Sequence, residues 1–123
     1  MSEAPVIVLP FPSSALSGHA EGHWRSKSVP TRKHREWARL AAMAAGVTAP
    51  ASGDIGVAIT FFPPNRRSDR TNFPNRVKPY LDGIAEALGV NDRRFLPTYA
   101  FCEPEKPGRV EFRISAPQAG RTA

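Results

Sequence analysis

One cysteine, Cys102, is all the thiol chemistry in this chain. That count excludes an internal disulfide and a cysteine-built zinc site, so Cys102 reads as a small buried residue rather than a nucleophile. Long apolar runs are missing as well. No stretch approaches the ~18 residues of a membrane span, and no basic run leads into an apolar segment near the start. The expectation is a soluble, cytoplasmic protein with no membrane partner. Nothing resembles a Gly-rich phosphate loop, no Ser-His-Asp order is suggested, and no small-molecule cofactor is implied. His19 and His23 stand four apart, with only Glu21 as an acidic companion, which is a poor zinc set. Acids are scarce too: 11 against 17 basic residues, and only Asp54, Asp69, Asp82 and Asp92 among them are aspartates.

What is present fits one small domain, expected over residues 1–116 with a frayed tail at 117–123. The chain has 123 residues, 41% of them apolar, an ordinary share for a globular core. Thirteen prolines predict several fixed loops. The net charge is +6, and thirteen of the seventeen basic residues are arginine, whose planar fork suits phosphate oxygens. Such a composition points to a nucleic-acid partner, against the plainer reading of a merely soluble basic surface.

Periodicity supplies the elements. Residues 6–9 form a short apolar strand, and the polar stretch 13–30 reads as a long loop. A helix over 31–45 follows from Trp37, Leu40, Ala41 and Ala44 at i, i+3, i+4 and i+7, with Gly46 as its stop. Its other side carries Arg32, Lys33, Arg35 and Arg39, either a solvated face or a phosphate-contacting one. Residues 55–62 alternate with both faces fairly apolar, as in a central strand. A basic loop at 65–71 leads into a second helix, whose stripe is Val77, Leu81, Ile84 and Leu88. At roughly 100° per residue, Asn75, Lys78, Asp82 and Glu86 gather within about 80° on its opposite side. Pro79 would disturb a helix interior, so the regular part should begin near Asn75. Strands at 95–102 and 110–114 complete a β-α-β-α-β-β order, an α+β fold with a small mixed sheet and two helices.

Three of the four aspartates bracket that second helix, among arginines. Each has two readings: charge balance by ion pairing or capping, or a divalent-metal site beside a phosphate-binding surface. Mg²⁺ is usually held by one or two carboxylates plus water and phosphate oxygens, so few acids suffice. Lys78 would supply a cation to the phosphate in the transition state, or simply pair with Asp82 one turn on. Trp24 and Trp37 are core residues or stack on unpaired bases.

These residues, taken in order, resemble the RusA-type Holliday junction resolvases. The resemblance rests on D-R-T-N-F-P-N-R-V-K-P-Y-L-D at 69–82, G-V-N-D at 89–92 and G-R-V-E-F at 108–112. The opening L-P-F-P-S-S, His23-Trp24-Arg25 and His34-Arg35-Glu36-Trp37 are similar too. It implies a homodimeric, Mg²⁺-dependent (Mn²⁺ as substitute) endonuclease that resolves four-way DNA junctions, often carried by prophages. Carried over by position, Asp69, Lys78 and Asp92 would be catalytic. Asp69 and Asp92, with Asn72 or Asp82, would hold the metal. Arg66, Arg67, Arg70, Arg76, Lys78, Arg93 and Arg94 would contact DNA. Thr71 stands where the family's second Asp belongs, and the 72–78 stretch is about two residues longer than usual. The alternative function is a dimeric DNA-binding module of the same fold without the nuclease.

Overall fold

Alternation along the strands decides which face of the sheet is covered. Ile7 and Leu9, Ile55, Val57, Ile59 and Phe61, and Val110, Phe112 and Ile114 all point to one side and are buried. Each such side chain contributes about 1.5–3 kcal/mol when removed from water. The computed structural model describes residues 5–12, 24–67 and 69–115, leaving aside the side chains of 24–30. Its elements are β1 (Val6–Pro10), α1 (Trp24–Ala45), β2 (Ile55–Phe62), a 3-10 turn (Arg70–Asn72), α2 (Phe73–Arg76) and α3 (Lys78–Leu88). A second 3-10 turn (Asp92–Arg94), β3 (Phe95–Phe101) and β4 (Arg109–Ser115) follow.

The sheet runs β1-β4-β2-β3. β4 lies antiparallel to both β1 and β2, with Phe112 opposite Ile7 on one side and Ile59 on the other. β2 and β3 are parallel, Ile59 facing Tyr99, which requires the crossover that α2 and α3 supply. Ala38, Ala42, Val77, Tyr80 and Ile84 join the strand residues in one core. The mixed α+β architecture agrees with expectation, and β2 is a central strand. Its second face, however, is not buried like the first: Ala58 is exposed and Gly56, Thr60 and Phe62 are half-buried.

The helices hold the main corrections. Within the stretch 13–30, expected as a loop, residues 13–23 lie outside the described residues, and α1 already begins at Trp24. Pro30 argues for a start at Thr31 because a proline in a helix interior forfeits a backbone bond, yet α1 runs through it. The buried face of α1 is also not the expected Trp37, Leu40, Ala41, Ala44 stripe. His34, Ala38 and Ala42 are buried, while Trp37 and Leu40 are 42% and 50% exposed. The cause is close helix contact: a Cβ on Gly83 of α3 would lie 2.1 Å from the Arg35 carbonyl oxygen of α1. At that crossing only a small residue such as Ala38 fits, while His34 stacks on the Tyr80 ring, 4.9 Å between centroids.

The second helix is two pieces. α2 ends at Arg76, Val77 bridges, and α3 begins at Lys78, so that Pro79 falls in a first turn where it has no bond to lose. The stripe holds for Val77 and Ile84, which are buried, with Tyr80 added and Leu81 and Leu88 half-buried. Tyr80 donates its hydroxyl to the Pro10 carbonyl at 2.7 Å, tying α3 to the end of β1. The expected tail at 117–123 lies outside the described residues.

Candidate active site and basic loop

The start of α3 and the turn after it meet at one ammonium group. Lys78 and Asp82 are one helical turn apart, and Lys78 Nζ donates to Asp82 Oδ1 at 2.9 Å. Gly89 takes the left-handed conformation at the end of α3, its φ being 68°, and donates its N–H to the Ala85 and Glu86 carbonyls. That reversal brings the chain back, and the Asn91 side chain caps the next turn by accepting the Arg93 N–H at 2.9 Å. Asp92, first in that turn, accepts a second hydrogen bond from Lys78 through Oδ2. The two carboxylates hold the Lys78 ammonium above its ordinary value, the Asp92 bond being the larger influence. Lys78 in turn holds the Asp92 carboxyl below the usual carboxylate range. Asp82 and Asp92 line a hollow of ≈ 470 Å³ with Arg35, Ala85, Glu86, Val90 and Asn91. Arg35 bridges to Glu86 across it, its Nε 3.0 Å from Oε2.

Asp69 is placed elsewhere. Its Oδ1 accepts from the Thr71 N–H at 3.0 Å and from the Thr71 hydroxyl at 2.8 Å, capping the 3-10 turn. Thr71, the departure from the resembled pattern, is therefore a partner of Asp69. Asp69 lines a second hollow of ≈ 390 Å³ with Pro63, Asn65, Arg66, Arg70, Phe73 and Pro104. Asn65 accepts the Arg67 N–H and shapes the loop, and Arg66 pairs with Glu103. Asn72 is half-buried and makes no side-chain cap bond. The structure thus brings Lys78, Asp82 and Asp92 together and sets Asp69 beside Arg66 and Arg70.

The other expected DNA contacts divide. Arg67, Arg70 and Arg93 are exposed. Arg94 is occupied by the protein itself, donating from Nε to the Gly53 carbonyl at 2.7 Å and from Nη2 to the Pro50 carbonyl at 2.6 Å. Arg76 is only 7% exposed, a correction to its expected place on the solvated basic surface. Its guanidinium lies 5.6 Å from the Phe73 ring centre and 5.8 Å from that of Phe11. Burial lowers its pKa, and its Nε has no hydrogen-bond partner among the described residues. Of the hollow's other residues, Arg35 and Glu86 gave no sequence signal as a pair, being 51 positions apart.

Among the described residues, no three or more His, Cys, Asp or Glu side chains converge as a metal set. Nor is any described helix long and apolar enough to cross a membrane. No protein-family model matches the chain. It is similar to an uncharacterized protein of Xylella fastidiosa (strain Temecula1 / ATCC 700964), with 42% identity over 94 residues, 73% of this chain. The chain spans 61% of that relative's length.

Proposed function

We propose that this chain is a divalent-metal-dependent endonuclease of the RusA type, acting as a homodimer on four-way DNA junctions. The observation that carries the reading is the Lys78 ammonium held between Asp82 and Asp92, on the helix and turn where the resemblance places the chemistry. Two carboxylates converging on one cation are a donor set that suits Mg²⁺, which completes its shell with water and phosphate oxygens. Asp82 and Asp92 would hold the ion, and Asp69, in its own hollow, would act through the basic loop instead. When bound, the metal supplies charge neutralisation at the phosphate and activation of water.

The chain's own residues do the rest. Lys78 turns from the carboxylates to a non-bridging oxygen of the scissile phosphate and stabilises the charge that builds there. Arg66, Arg67 and Arg70 on the loop, and Arg93 beside Asp92, hold flanking phosphates. A two-fold dimer places two such sites as the arms of a junction are related, so the two nicks fall symmetrically. The same ion pairing favours a second reading, in which Lys78 permanently fills the place of the metal and the protein binds junctions without cutting. A nicking assay on a synthetic four-way junction in Mg²⁺ or Mn²⁺ separates them. Paired nicks support the nuclease. A gel shift without any cut supports the binding module.

A further inference from the structure

β3 is one of the two edge strands of the sheet, and all of it except Phe95 is exposed. Tyr99 and Phe101 are 41% and 42% exposed, large aromatic surfaces in the open. Both lie nearly parallel to the buried Phe61 ring, at 22° and 13°, with centroids 6.2 and 5.3 Å away. Each ring is thus stacked beside Phe61 while part of its surface stays open to solvent. Phe101 also touches Phe73, at 6.2 Å between centroids, and Phe73 forms part of the hollow that holds Asn65, Arg66, Asp69 and Arg70. Glu103, two residues past Phe101, pairs with Arg66 and fixes the loop against the end of the strand. The buried Arg76 guanidinium lies 5.6 Å from the Phe73 ring centre, and its Nε has no hydrogen-bond partner among the described residues. Aromatic faces beside free cations form the platform that single-stranded nucleic acid uses, base on ring and phosphate on arginine.

We propose that the Tyr99–Phe101 rim and the Arg66–Arg70 hollow together bind an unpaired nucleotide of the DNA, its base stacked on the rim and its phosphate held by Arg70. The inference rests on the reading of the basic loop as a DNA-contacting surface, and it adds the substrate feature that this end of the molecule reads. A second copy of the chain fits the edge less well. The Cys102 N–H bonds the Phe61 carbonyl, so even-numbered residues of β3 face β2 and odd-numbered ones face out. Pro97 therefore stands on the outer edge, where its missing N–H interrupts any added strand.

The test uses a single-stranded oligonucleotide carrying 2-aminopurine, whose emission falls when the base stacks. The full chain should bind and quench it. Tyr99→Leu and Phe101→Leu, which keep apolar cover but remove the ring faces, should each weaken binding about 5- to 150-fold and abolish the quench. Tyr99→Phe should restore both, and matching melting temperatures separate a lost platform from a lost fold. Unchanged affinity and quench in the leucine variants overturn the proposal. A change in sedimentation instead of in binding also overturns it, in favour of a second copy on the rim. If junctions are never cut while the ring-dependent quench persists, the nuclease reading fails and this one stands.

Discussion

The two hollows differ in how their charges are settled. In the first, Lys78 is shared by Asp82 and Asp92, and Arg35 is matched by Glu86, so each cation has an acid within the protein. In the second, Arg66 finds Glu103 and Asp69 is engaged with Thr71, while Arg70 stays exposed; Arg67 beside it in sequence is exposed too, and the buried Arg76 against the Phe73 ring keeps an Nε with no hydrogen-bond partner among the described residues. A balanced cluster holds its own geometry before anything binds, which suits a group that must be placed accurately at one phosphate. An unbalanced one waits for an external anion and suits affinity. On the proposed function, nearly the same residue types, close together along the chain, would divide into a site for chemistry and a site for grip.

The contrast breaks hardest at Gly83. Gly83→Ala puts a methyl against the Arg35 carbonyl, forces α1 from α3, and carries Arg35 away from Glu86. The expected loss is about 1–3 kcal/mol or more in denaturant melts, as for overpacking in a closed core. Next in size is the basic loop. Arg66→Ala with Arg67→Ala should weaken binding to any DNA sequence. The salt dependence of log K should also flatten, by about 0.9 for each duplex phosphate that the loop no longer neutralises. A slope equal to the parent's removes this loop from the interface.

Tyr80→Phe sharpens the comparison by testing the anchor between α3 and β1 alone. Losing the bond to the Pro10 carbonyl should lower stability by about 0.5–1.5 kcal/mol. Burial raises the Tyr80 hydroxyl above its ordinary value of 10.0, so the folded chain keeps that proton longer than the unfolded one. Its stabilising contribution is complete below that value and is lost as the pH rises toward the folded one. Tyr80→Phe should therefore flatten the alkaline limb of the stability profile, and an equally steep limb would assign it to other groups. The smallest effect belongs to Lys78→Ala, because its ion pairs are exposed to solvent. The expected change in stability is about 0–1 kcal/mol, with cutting slowed sharply. A large drop in melting temperature would make Lys78 a structural brace.

Much of this frame is legible in the sequence, because strand alternation and the Val77–Ile84 stripe report burial directly. The polar side of α3 is legible for the same reason, so Lys78 and Asp82 meet as their spacing requires. The buried face of α1 is not, since large apolar residues carry the periodic signal whereas the seam selects the small Ala38 and Ala42. That Asp69 and Asp92 line different hollows is equally hidden, because a count of intervening residues reports neither the break at Val77 nor the reversal at Gly89. Arg94 and Arg76 look like surface cations in one dimension, and only the folded chain shows one pinned to carbonyls and the other folded against phenyl rings.

The division between chemistry and grip is tested most directly by Asp92→Asn assayed for both functions on one four-way junction. Nicking in Mg²⁺ should be abolished or strongly reduced. Binding measured without metal should stay the same or strengthen, because a negative charge beside the phosphates is gone. A variant that cuts as well as the parent, or one that loses binding together with cutting, would contradict the account.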